Sequence, residues 1–126
     1  PMSSRIQMIQ GSSTAPEIVE QVQQVAQRYE RILVFLDSNH THNHVLAELQ
    51  AYAPITSLGS YCVVFDTIVE DLPSELFPDR PWGPGDNPKT AVWEFLKSHP
   101  EFEIDKAIQQ KLMLTVAPDG YLKKIN

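Results

Sequence analysis

A chain of 126 residues with 42% apolar composition can bury one hydrophobic core and suits a single domain. Its net charge of −6 argues against nucleic acid or an anionic membrane surface as a partner. No apolar run approaches the roughly 18–20 residues of a membrane span, and no charged-then-apolar leader opens the chain.

The chain starts PMSSRIQMIQ, with proline ahead of the first methionine, as a piece of a longer protein would. Residues 5–9, RIQMI, read as a short strand, and Gly11, Ser12 and Ser13 as the turn after it. Pro16 opens an apolar-periodic run (Ile18, Val22, Val25) that predicts a helix ending near Tyr29. Residues 31–36, RILVFL, are almost continuously apolar, the pattern of a strand covered on both faces. Val45, Leu46, Leu49 and Tyr52 then recur at helical spacing, predicting a helix from about His42 to Ala53 that stops at Pro54. YCVVF, residues 61–65, is a second buried strand, and it holds the single cysteine, Cys62. One cysteine excludes an intramolecular disulfide, and its apolar setting reads as a core thiol, in keeping with a cytoplasmic protein.

Residues 67–88 carry five prolines and two glycines, too long and too rich in proline for a passive connector, so a functional loop is expected. A helix follows from about Pro88 to Lys97. The end, KLMLTVAPDGYLKKI, reads as two strands about the turn APDG, giving an antiparallel hairpin at the sheet's edge. The β-α-β-α-β alternation predicts an α/β fold with a parallel sheet and right-handed crossovers.

Open α/β sheets bind ligands beyond the carboxyl ends of their strands. Two strands here end in aspartate, Asp37 and Asp66, separated by one strand–helix–strand unit. If the strands are neighbours, both carboxylates converge, and such hard oxygen donors suit Mg²⁺ or another divalent ion. The competing reading makes Asp37 a helix cap and Asp66 the start of a turn. His40 lies where the loop enters the helix, and an imidazole there can accept a proton near neutral pH. His40 and His44 also have the i, i+4 spacing of a zinc pair, but without the glutamate of an HExxH motif. His42 and His44 otherwise read as surface or packing residues. Trp82 can stack on a ligand or pin its loop, and Arg80, Asp86, Asn87 and Lys89 bring polar groups to the same segment. Gly11, Ser12 and Ser13, at a strand's carboxyl end, can approach a nucleotide ligand.

The segments LDSNHTHNHVLAEL, YAPITSLGSYCVVFDTIVEDLP, FPDRPWGPGDNPKTAVWEFL and VAPDGYLKKI resemble the cephalosporin hydroxylase/rhamnosyl O-methyltransferase family over roughly residues 5–125. The resemblance implies a class I, Rossmann-like O-methyltransferase that uses S-adenosylmethionine and acts on a sugar or natural-product hydroxyl. It implies Asp37 and Asp66 as metal ligands, Asp37 and the Gly11–Ser13 turn beside the cofactor, and His40 as general base. Trp82 and Asn87 become candidate substrate contacts. Relatives often carry glutamate just before the second aspartate. Phe65 stands there instead, leaving Thr67 or water to complete the metal site. The family's first two strands and glycine-rich cofactor loop have no counterpart before residue 5, which implies the C-terminal portion of one methyltransferase domain. The sheet surface so uncovered is apolar and favours self-association, hence a homo-oligomer. Three other classes compete. A non-catalytic interaction module built on the same fold suits the absent cofactor loop. A phosphate-accepting receiver lacks its acidic pair and lysine, and an iron hydroxylase lacks its facial triad.

Overall fold

The computed structural model describes residues 3–126 and shows a mixed α/β fold built on one four-stranded sheet. The first helix, α1 (Pro16–Ala26), has proline in its first turn, where the missing N–H costs nothing. It is followed by β1 (Val34–Leu36), α2 (His42–Tyr52), β2 (Tyr61–Val64), α3 (Pro88–Leu96), β3 (Phe102–Ile104), α4 (Lys106–Leu112) and β4 (Tyr121–Lys124). The sheet order is β1-β2-β4-β3. β1 and β2 are parallel, with Val34 opposite Cys62 and Leu36 opposite Val64. β4 is antiparallel to both its neighbours, β2 and β3. Three strands therefore run one way, and the last runs against them.

Register explains the core. Val34, Cys62, Leu122 and Ile104 are successive cross-strand partners, so their side chains form one row on one face. Val45, Leu49 and Tyr52 of α2 and Ala91, Val92 and Phe95 of α3 close over that face, with Val19 and Val22 of α1 packed beside them. The opposite face is uncovered at β1, where Phe35 and the preceding Leu33 are exposed, and the Phe35 ring lies 5.8 Å from the half-buried ring of Phe65. A doubly wound sheet carries helices on both faces. Here α1, α2 and α3 supply one helical layer only, in keeping with part of a Rossmann-like fold.

Several sequence expectations need correction. Residues 5–9 form no strand: Ile6 and Met8 are exposed, and no strand of the described residues pairs with them. A strand needs a neighbour to take its backbone hydrogen bonds. α1 stops at Ala26 rather than near Tyr29. α2 passes into a 3₁₀ turn, Ala53–Ile55, across Pro54. KLML is not a strand but lies in and just after α4, which Asp105 caps by accepting from the N–H groups of Ala107 and Ile108. The C-terminal hairpin does not exist either: β4 lies inside the sheet, and the edge belongs to β3.

Candidate active site

The sheet's carboxyl end is built by two strand exits. β1 and β2 are parallel neighbours, so the chain leaves both at the same rim. The Phe65 N–H donates to the Leu36 carbonyl at 3.0 Å, extending the pairing by one step and setting Asp37 and Asp66 side by side. Asp66 has a left-handed backbone (φ 55°), a conformation rare for residues other than glycine and common at functional turns. That kink turns the chain from the strand into a 3₁₀ segment, Thr67–Asp71. On the other strand, Asn39 Oδ1 accepts from the Thr41 N–H and hydroxyl, which shapes the loop carrying His40 into α2.

These turns bring three donors together. One ligand atom each from Asp37, His40 and Asp66 lies within 4.8 Å of the others. His40 Nε2 is 2.6 Å from Asp66 Oδ2. Asp37 is exposed, and the other two are half-buried. The Trp82 ring stacks on His40 at 4.9 Å between centroids and 25° between planes, and the Arg80 guanidinium lies 5.3 Å from the Trp82 centroid. Two carboxylates and an imidazole on one half-open rim are a chemically suitable donor set for a divalent cation.

The Gly11–Ser13 turn comes to the same region. Ser13 Oγ lies 3.4 Å from Ser38 Oγ and 3.1 Å from His44 Nε2. Ser38 in turn donates to Glu48 Oε1 at 2.5 Å, and Tyr52 donates to the Ser13 carbonyl. Glu48 is buried, and its second oxygen has no hydrogen-bond partner. Ser13, Arg31, Asp37, Ser38 and Glu48 bring polar groups to the lining of a groove of about 650 Å³, whose apolar walls include Val22, Val34, Leu36 and Tyr52. The sequence reading missed Ser38 and Glu48, because a glutamate inside an amphipathic helix normally marks a solvated face.

Other candidates lie elsewhere. Asn87 is fully buried. Its Oδ1 accepts from the Lys89 and Thr90 N–H groups at the start of α3, and its Nδ2 donates to Glu70 and to the Gly83 carbonyl. Every polar group of that side chain is used internally, so Asn87 has none left for substrate. Thr67 is fully buried, and its hydroxyl donates to the Pro118 carbonyl at 2.6 Å. Lys89 is buried in an ion pair with Asp71, and Asp86 accepts from the His42 N–H. His42 Nδ1 bonds Thr90 Oγ1, a packing role. His44 belongs to the Ser13–Ser38–Glu48 cluster and His40 to the aspartates, so the two do not form a zinc pair. Trp82 has one face against His40 rather than open to a ligand.

Residues 1–125 match the family model described as Rhamnosyl O-methyltransferase/CmcI. The chain belongs to this family. Within the family, it is 36% identical over 116 residues to a rhamnosyl O-methyltransferase of Mycobacterium tuberculosis, an alignment covering 90% of this chain and 45% of that protein. A rhamnosyl O-methyltransferase of Mycobacterium leprae is 34% identical over 119 residues, covering 93% and 49% respectively. The chain thus spans about half the length of these relatives. No solved structure matches it. Among the described residues, no helix is long and apolar enough to cross a membrane.

Proposed function

We propose that this chain forms the C-terminal portion of an O-methyltransferase that uses S-adenosylmethionine and methylates a hydroxyl of a sugar or natural product. The observation that carries the reading is the convergence of Asp37, His40 and Asp66 on the carboxyl rim of two neighbouring parallel strands. Relatives named rhamnosyl O-methyltransferase support the reaction class. Asp37 and Asp66 are the residues to hold Mg²⁺ or another divalent ion, which, when bound, lowers the pKa of an acceptor hydroxyl. S-Adenosylmethionine, when bound, supplies the methyl group.

The chain's own residues do the rest. Nε2 of His40 donates to Asp66 Oδ2 at 2.6 Å, so His40 accepts the acceptor's proton at its other ring nitrogen, Nδ1, and Asp66 stabilises the imidazolium that results. The Ser13–Ser38 pair at the polar lining of the groove supports the cofactor side of the reading, with Asp37 lining the same groove. The loop bearing Trp82 walls the rim on the acceptor side and limits water.

Calorimetry with Mg²⁺ and S-adenosylhomocysteine tests this on the chain and on a version extended upstream in its gene. The reading expects the extended protein to bind both, and Asp37→Ala or Asp66→Ala to abolish Mg²⁺ binding. If the extended protein binds neither, the catalytic reading fails and an interaction module built on the same fold replaces it.

A further inference from the structure

The 3₁₀ segment that begins at Asp66 does more than present that aspartate. Four residues on, Glu70 Oε2 accepts from the Gly85 N–H at 2.7 Å and from Asn87 Nδ2. Asn87 Nδ2 also reaches the Gly83 carbonyl, and Gly83 and Asp86 exchange both backbone hydrogen bonds at 3.0 Å. Residues 83–87 are therefore a closed turn strung on one carboxylate. Trp82 precedes that turn directly and lies flat on His40, which returns to Asp66. The contacts form a ring: Asp66, His40, Trp82, the 83–87 turn, Glu70, and back along four residues of chain to Asp66.

We infer that Glu70 is a positioning residue for His40, acting through the 83–87 turn and the Trp82 ring. A histidine on a loop turns freely about its side-chain bonds, and each wrong orientation takes Nε2 away from its partner. Stacking fixes the ring plane, and the hydrogen bond to Asp66 fixes rotation within it. Trp82 supplies the first constraint only while its turn is anchored, and Glu70 is the anchor. The loop is thus a braced wall, and Trp82 is a support for the base rather than a platform for a sugar ring. This rests on the reading of His40 as the proton acceptor, but its first test does not need activity.

The test reads the ring-proton resonances of the four histidines by NMR. A ring 4.9 Å above an indole is displaced upfield by its ring current. Trp82→Leu sets the undisplaced value for His40. Glu70→Ala is expected to remove at least half of that displacement, and Glu70→Asp, too short to reach both donors, to remove part of it. Glu70→Gln, which keeps an acceptor oxygen, is expected to retain it. His99, stacked on Phe95 at 3.8 Å, reports that the fold is intact and is expected to stay put. If His40 is as displaced in the alanine and aspartate variants as in the parent, the inference is overturned. It is equally overturned if Trp82→Leu leaves His40 unmoved. In the upstream-extended protein, Glu70→Ala is expected to lower kcat about tenfold or more with little change in KM, and Glu70→Gln to restore it. A loss confined to KM would contradict positioning, whereas an inactive parent counts against the methyltransferase reading and leaves the resonance result standing.

Discussion

Replacing Asn87 by alanine separates a structural hub from a substrate contact, because the two roles predict opposite outcomes. The side chain is fully buried and makes four internal hydrogen bonds. Its Oδ1 caps α3, and losing an asparagine cap costs about 1 kcal/mol. Its Nδ2 satisfies Glu70 and the Gly83 carbonyl. Glu70 keeps the Gly85 donor, and Gly83 is only half-buried, so the loss there belongs at the low end of the penalty for an unmet buried acceptor, about 1–2 kcal/mol. The total is about 2–3 kcal/mol. With about 2.1 cal/mol/K of unfolding entropy per residue, a chain of this length loses about 8–11 °C of Tm. Thermal unfolding followed by far-ultraviolet circular dichroism measures the Tm, and urea unfolding the free energy. Asn87→Asp sharpens the test. It keeps the cap but sets a second carboxylate against Glu70, so it is expected to be at least as damaging at neutral pH. If Asn87→Ala shifts stability by less than about 0.5 kcal/mol, the range of an ordinary surface change, the hub argument is refuted.

Three further outcomes follow from particular contacts. Gly120→Ala would bring a Cβ to 2.1 Å from the Val64 carbonyl oxygen, and backbone cannot step aside cheaply, so a loss of about 1–3 kcal/mol is expected in the same unfolding assay. Burial, helped by the nearby Glu48 charge, pushes the Cys62 thiol up to about 12, so labelling by a disulfide reagent at mildly alkaline pH is expected to wait for unfolding; immediate labelling of the native chain would contradict the core placement. The Tyr61 hydroxyl donates to Asp105 at 2.7 Å and holds that carboxyl below its ordinary range, while raising the phenol. The Asp105 contribution to stability is therefore present above the ordinary carboxylate pKa and lost as pH falls through the lowered one; Tyr61's is present below about 10 and lost as pH rises through its raised value. Tyr61→Phe is expected to move the Asp105 carboxyl titration upward by NMR, and an unchanged midpoint would dismiss the hydrogen bond as its cause.

The parts of the fold written as long apolar runs were readable. RILVFL and YCVVF hold strands because continuous apolar character leaves no polar face to solvate, and the helical spacing of Val45, Leu49 and Tyr52 marks α2. The strand-end rule predicts that Asp37 and Asp66 share one rim with His40 beside them, and the three do converge there. Three-residue β3 left no periodicity to read. KLMLTV has strand-like residues, yet Asp105 caps a helix just ahead of it; the local cap outranked side-chain preference. Asn87 carried its own signal, with proline next and threonine three residues on, the pattern of a helix start. The proline and glycine around it mask that signal and give the segment the look of a loop. Glu48 and Glu70 had no such mark. What distinguishes them is which neighbours tertiary packing supplies.

The placing of the final strand inside the sheet also bears on how the molecule is made. β3 touches the sheet only through β4, and β2 borders β3 nowhere. During vectorial synthesis, Phe102–Ile104 must wait without a partner until Tyr121–Lys124 has left the ribosome and threaded between two earlier strands. Until then β1–β2 is the only strand pair formed among the described residues, and the far edge of β2 stays open. A ribosome stalled before Tyr121 would therefore display an assembly intermediate rather than a nearly finished domain, and one whose exposed strand edges are natural binding sites for chaperones.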